Sequence, residues 1–111
     1  MSPLVGSGLW FGSGLRKFFA FLTNQGSNTV QSLTYNPSTG VMTNVGTVAT
    51  GSTPFGVAVD STNHVVFVTN NYNGTGGNTV QSYTYNPSTG AMTSVGTVAT
   101  GTDPFGVAVA Y

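Results

Sequence analysis

The sequence contains nearly the same stretch twice, and this repetition constrains the fold more than any other feature. Residues 28–60 and 78–110 align without gaps at an offset of 50 positions, and they differ at six of 33 positions. Repetition with a period of about 20 to 50 residues is typical of solenoids, propellers and arrays, in which each unit buries its apolar faces against neighbouring units. We therefore predict a repeat architecture that arose by recent duplication or was built deliberately.

Each unit has the pattern of β-strands rather than helices. Alternating or continuous β-branched and aromatic residues, bounded by Gly, Pro and Asn, predict four strands at 54–60, 64–70, 78–85 and 91–100. The loop Asn-Pro-Ser-Thr-Gly, at 36–40 and 86–90, has Pro and Gly where a tight turn needs them, so we predict a hairpin there. The chain is therefore predicted to be all-β, built of antiparallel strands.

The strand pattern divides the chain into three parts. Residues 1–16 form a degenerate N-terminal segment, in which GLWFGSG (8–14) resembles a worn first strand. Residues 17–60 form the first unit, with a second, third and fourth strand followed by the first strand of the next unit, and residues 61–111 repeat that order. The segment KFFAFLTN, which starts at Lys17, aligns with the strand at 63–70 and opens the first unit.

The composition excludes several classes of partner. Charged residues are 4% of the chain and the net charge is zero, whereas soluble domains contain about 25% charged residues. Nucleic acids and anionic membrane surfaces are recognised through clustered Lys and Arg, so we expect neither as a partner. There is no cysteine, no apolar run of about 18 residues and no typical signal peptide at the N-terminus, so the sequence does not determine the localisation.

Several motifs resemble those of a known family. FLTN, FVTN, GSNTV, TYNPSTG and TGSTPFGVAVD are similar to the YVTN repeats of lactonase-type β-propellers. That resemblance implies blades of four antiparallel strands set radially around a channel, with seven blades in one chain, whereas this sequence has material for two. The family includes phosphogluconolactonase-like proteins and many extracellular or cell-surface proteins, but the polar and charged residues of a lactonase-like pocket are nearly absent here.

Two blades alone would expose two broad apolar faces, so we expect the chain to associate with itself. A head-to-tail homotrimer would close a ring of six blades and a homotetramer a ring of eight, both within the range of about 4 to 8 blades. The strand PFGVAVAY, which begins at Pro104 and ends at Tyr111, could enter the sheet of the next copy by strand exchange. The alternative is that GLWFGSG supplies this strand within the same chain.

The candidate ligand-binding residues lie in two loops. In the resembling family, the turn before Pro-Phe-Gly and the loop between the second and third strands face the ligand side. Asp103 lies in that turn, where the first unit has Thr53, and its carboxylate could bind a cation. The loop supplies amide and phenol groups that could bind a sugar or peptide: Asn70, Asn71, Tyr72 and Asn73.

The sequence gives little support for catalysis. Hydrolysis uses paired carboxylates or a nucleophile with an adjacent base, and the carboxylates of Asp60 and Asp103 are expected at opposite strand ends. His64 is the one histidine, so we expect no metal site, and we expect no cofactor. The sequence therefore predicts a self-assembling structural propeller fragment without enzymatic activity. The alternatives are a carbohydrate- or small-ligand-binding module and a vestigial lactonase-like hydrolase.

Overall fold

The computed structural model describes residues 17–71 and 77–110, which form two antiparallel sheets. The first sheet contains β1 (Phe19–Asn24), β2 (Thr29–Tyr35) and β3 (Met42–Ala49). The second sheet contains β4 (Pro54–Asp60), β5 (Val65–Asn70), β6 (Thr79–Tyr85) and β7 (Met92–Ala99). In both sheets the strands are neighbours in chain order, which confirms the prediction of an all-β fold with antiparallel strands.

The predicted hairpin loops are present between β2 and β3 and between β6 and β7. In the first loop, the N–H of Gly40 donates to the main-chain oxygen of Asn36 at 2.7 Å, and the N–H of Ser38 donates to the Asn36 side chain at 2.8 Å. Gly40 and its counterpart Gly90 have φ angles of 79° and 82°, a region that glycine enters without steric cost. The turn chemistry read from the sequence is therefore confirmed.

The core lies where one face of the first sheet packs on one face of the second. Val30 of β2 is fully buried there, as are Val66 and Val68 of β5. The ring of Phe21 in β1 lies 5.0 Å from the ring of Tyr85 in β6, measured between centroids. Alternating residues of each strand thus supply this face, as expected for a strand with a side-chain period of two.

The outer face of the second sheet repeats the covered face of the first. Val30 and Val48 of the covered face correspond, at the offset of 50, to Val80 and Val98 of the outer face. Val98 is 68% exposed, and together with Phe67 and Val80 it lines an open groove of about 270 Å³. The same apolar pattern is therefore covered in one sheet and open in the other.

Residues 104–110 have the sequence of a strand but are not part of either sheet. Their sequence repeats that of β4, but they form no sheet ladder with the other described residues. A strand is defined by its hydrogen bonds to a neighbouring strand. Strand β4 pairs with β5, but within residues 17–71 and 77–110 no strand equivalent to β5 follows the segment 104–110. The segment instead packs by side-chain and carbonyl contacts against β4 and β5.

The sheets do not follow the repeat units of the sequence. Strand β4 closes the unit 17–60 but pairs with β5 of the unit 61–111, so the four-stranded sheet joins both units. The degenerate segment 1–16, with GLWFGSG and Trp10, lies outside the described residues. Within the part that is described, no helix has the length and apolar character to cross a membrane.

Candidate functional site

Two turns of the same design lie where a fourth strand leads into the next first strand. The N–H of Thr53 donates to the side-chain oxygen of Asn28 at 2.9 Å, and the N–H of Asp103 donates to that of Asn78 at the same distance. Thr53 and Asp103 have φ angles of 53° and 56°, and Asp tolerates this left-handed region better than the β-branched Thr. Asp103, in place of the Thr of the first unit, therefore lowers the backbone strain of this turn and places an exposed carboxylate in it.

Asn71 connects the two turns. Its main-chain N–H donates to the carbonyl of Thr53 at 2.9 Å, and its side-chain amide donates to the carbonyl of Pro104 at 2.6 Å. The structure thus places Asn71 beside the turn that contains Asp103.

Asn70, the residue before Asn71, lies in the interior of the protein. Its side chain is fully buried, and its amide donates to the hydroxyl of Thr79 at 3.0 Å and to the side chain of Gln81 at 3.4 Å. Its counterpart Asn24 makes the same type of contact in the first sheet, which points to a role in holding the loop. The two other residues predicted for this site, Tyr72 and Asn73, lie outside the described residues.

Asp60 occupies the opposite end of β4. Its carboxylate accepts hydrogen bonds from the side chain of Asn63 at 2.9 Å and from the main-chain N–H groups of Asn63 and Thr62, both at 3.0 Å. These hydrogen bonds, that of the Asn63 side chain first, hold the pKa of Asp60 below its ordinary value, and the nearby His64 adds to the effect. Asp60 thus closes its turn, and it does not meet Asp103.

A groove at this opposite end was missed by the sequence reasoning. It has a volume of about 400 Å³, and its lining includes Lys17, Ser61, His64 and Tyr85. The His64 ring packs edge-on against Tyr85 at 5.4 Å between centroids. An ammonium group beside an imidazole and hydroxyls could hold an anion, but no sequence motif links these positions.

Metal chemistry has no cluster of ligands to use in the described part of the chain. Residues 17–71 and 77–110 contain no group of three or more His, Cys, Asp or Glu side chains placed to hold an ion. Asp103 lies at one end of the sheets and Asp60 and His64 at the other, so these three side chains do not form one site.

A sequence model described as lactonase, seven-bladed β-propeller, matches residues 16–110. The chain belongs to the lactonase family of seven-bladed β-propellers. A comparison with curated protein sequences gives no match. The family assignment confirms the resemblance read from the YVTN-like motifs, and it makes the two sheets a fragment of a propeller.

Two solved structures are similar to this lactonase-family chain, and both carry the name putative 6-phosphogluconolactonase. The protein from Bacteroides uniformis is 20% identical and aligns with a TM-score of 0.70 over 84% of this chain and 28% of its own. The protein from Bacteroides fragilis is 14% identical and aligns with a TM-score of 0.65 over 82% of this chain and 26% of its own. The chain thus spans just over a quarter of these neighbours, whose similarity shows the shared fold.

The family corrects one prediction. The separation of the two carboxylates and the missing nucleophile–base pair predicted that the chain is not an enzyme. That prediction is wrong, because the matching family is a family of lactonases, which are hydrolases. The prediction judged catalysis on two repeats alone, whereas the chain spans just over a quarter of the two solved neighbours.

Proposed function

We propose that this chain forms two blades of a lactonase-type propeller and that copies of the chain close the ring. Three copies would give six blades and four would give eight, in the range of about 4 to 8 blades that propellers adopt. The observation that carries this proposal is the repeated apolar pattern: Val48 is partly buried between the sheets, whereas its equivalent Val98 is 68% exposed.

The opposite outer face of the molecule offers the matching surface. The second sheet covers the first with Val68, Tyr83 and Tyr85. The equivalent positions on the outer face of the first sheet are occupied by Leu22, Leu33 and Tyr35. A second copy can therefore place its first sheet on the open groove of the second sheet and repeat the internal contact between copies. Contacts of this head-to-tail type close into a ring when the rotation fits.

The ring places one copy of Asp103 and Asn71 per chain at the same end of the propeller. We assign this end the binding of a lactone, the substrate class of the family; the neighbours' names specify 6-phosphogluconolactone. The carboxylate of Asp103 would accept the proton of the water that attacks the lactone carbonyl, and would return it to the ring oxygen when the ring C–O bond breaks to give the open-chain hydroxy acid. The side-chain oxygen of Asn71 would accept a hydrogen bond from a substrate hydroxyl.

The assembly is tested by measuring the native mass of the full 111-residue chain by sedimentation and native mass spectrometry. We expect a discrete species of three or four copies. Val98→Asp, which places a charge in the open groove, should give monomers, whereas Ser88→Asp in the exposed hairpin loop should leave the assembly intact. A compact monomer of the unaltered chain would overturn the proposal.

The catalytic assignment is tested by lactone hydrolysis with the assembled protein. Asp103→Asn keeps a residue that tolerates the left-handed φ, so the mass should be unchanged while hydrolysis falls by about 100-fold or more. His64→Ala, at the other end, should retain activity. Loss of activity in His64→Ala alone would move the site to the groove of Lys17 and His64. Binding of a sugar without turnover would favour a binding module instead.

A further inference from the structure

The segment 104–110 lies where a first strand equivalent to β4 would lie, although it has no ladder partner in the described residues. It repeats the sequence of β4 at the offset of 50, with PFGVAVA in place of PFGVAVD. The aromatic rings of Phe55 in β4 and Phe105 in the segment lie 3.9 Å apart between centroids. The segment therefore lies beside β4, at the place where the next blade would begin.

Two polar contacts fix this position. The hydroxyl of Thr69 donates to the carbonyl of Phe105 at 2.8 Å, and the hydroxyl of Thr23, one repeat earlier, donates to the carbonyl of Phe55 at 2.9 Å. The side-chain amide of Asn71 adds a third contact, to the carbonyl of Pro104. Since β4 receives the same Thr contact and is the first strand of its sheet, the segment lies where the first strand of a further sheet would be.

Among the described residues, the first sheet lacks a strand equivalent to β4, which is the strand that the segment 104–110 resembles. Its strand β1 pairs with β2, whereas the equivalent strand β5 pairs with both β4 and β6. Within residues 17–71 and 77–110, the other edge of β1 carries no ladder. An open strand edge presents main-chain N–H and C=O groups that a strand of matching length can pair with.

We infer that the segment 104–110 of one copy pairs, antiparallel, with β1 of the next copy and so completes its first sheet. This inference rests on the proposed ring and names its contact. The pairing of β4 with β5 gives the register, since β1 precedes β5 by 46 positions and the segment follows β4 by 50. The pair Val59–Val66 becomes Val109 opposite Ala20, and Val57–Val68 becomes Val107 opposite Leu22.

A disulfide across this register is the sharpest test, because the chain contains no cysteine of its own. Directly opposed residues of antiparallel strands have Cβ atoms about 4.5–5.5 Å apart, close to what a disulfide spans. The double variant Ala20→Cys/Val109→Cys should therefore cross-link between chains on mild oxidation. Non-reducing gels should then show covalent dimers and larger species up to the ring, and reductant should return them to single chains.

The register control is Ala20→Cys/Ala108→Cys. Successive residues of a strand point to opposite faces, so this pair should cross-link at least tenfold less under the same conditions. Equal cross-linking of both variants would show random collision and would overturn the inference. A disulfide formed within one chain would also overturn it, because the strand would then pair in cis.

The failure of this inference is distinguishable from the failure of the ring. If both cysteine variants have the native mass of the ring but neither cross-links, strand exchange is wrong and the ring is closed by other contacts, such as the segment GLWFGSG acting in cis. If both variants are monomers, as judged before oxidation, and the unaltered chain is also a monomer, the proposed function itself is wrong.

Discussion

The hydroxyl of Tyr83 in β6 donates a hydrogen bond to the main-chain carbonyl of Ala49 in β3, at 2.9 Å, and thereby ties the second sheet to the first. The Tyr83 side chain is completely buried. Tyr83→Phe keeps the ring and removes the donor, so we expect the free energy of unfolding to fall by about 0.5–1.5 kcal/mol. Chemical denaturation at neutral pH measures this change. Equal stability of the two proteins would contradict a structural role for the hydrogen bond.

Burial of the same phenol makes stability depend on alkaline pH. It raises the pKa of Tyr83 to about 12, whereas an unfolded tyrosine titrates near 10. The unfolded chain therefore loses the proton first, and the stabilisation is fully present below about pH 10 and is lost as the pH rises towards 12. Unfolding free energies measured across this range should decline more steeply in the unaltered protein than in Tyr83→Phe. Parallel declines would show that other groups cause the effect.

The position equivalent to Tyr83 in the first sheet is Leu33, and this difference predicts a way to strengthen the assembly. In the proposed ring, Leu33 faces the main-chain carbonyl of Ala99 in a neighbouring copy, and Ala99 is the equivalent of Ala49. The Leu33 side chain has no group that could donate a hydrogen bond to that carbonyl. Leu33→Tyr should supply that hydrogen bond and lower the concentration at which the ring half-dissociates by about two- to tenfold. Sedimentation over a dilution series measures the midpoint. A weaker or unchanged assembly would show that Leu33 does not face Ala99.

The fold was predictable from sequence to the level of strands and turns because those depend on local chemistry. The strand predicted at 54–60 has the bounds of β4, and the hairpins at 36–40 and 86–90 follow from Asn, Pro and Gly at fixed places. The family was also readable, since its motifs include turn and capping residues such as Asn70, whose contacts hold the loop. These features need no knowledge of distant contacts.

What could not be predicted depends on where distant segments meet. The segment 104–110 has the sequence of a strand but no ladder in the described chain, and the sequence left open whether it pairs with the next copy, because pairing depends on the neighbouring strand as well as on the segment. The groove that joins Lys17 to His64 and Tyr85 combines three sites from different strands and loops. Sequence spacing carries no signal for that combination.

Gly56 is required by the close approach of the segment 104–110 to β4. A Cβ atom added at Gly56 would clash with the carbonyl oxygen of Phe105 and would lie 3.3 Å from the hydroxyl of Thr69. Since the obstacle is main chain, Gly56→Ala should displace the segment and lower the free energy of unfolding by about 1–3 kcal/mol. Hydrogen exchange should show faster exchange in 104–110. Gly26→Ala, where nothing lies within 4 Å, is the matched control and should lack both effects.

Gly106 occupies the same position in the repeat as Gly56. A substitution at Gly106 distinguishes effects on the assembly from effects on the single chain. In the structure nothing lies within 4 Å of a Cβ added at Gly106. In a ring closed by strand exchange, however, the carbonyl of Phe55 from the next copy would lie there, as the carbonyl of Phe105 lies beside Gly56. Gly106→Ala should therefore leave the stability of the dissociated chain within about 0.5 kcal/mol of the original and weaken assembly by at least tenfold. Denaturation at low concentration and sedimentation at high concentration measure the two quantities separately. An intact ring in Gly106→Ala would mean that the segment does not stand beside a further copy of β4, since the backbone has no room for that methyl group there.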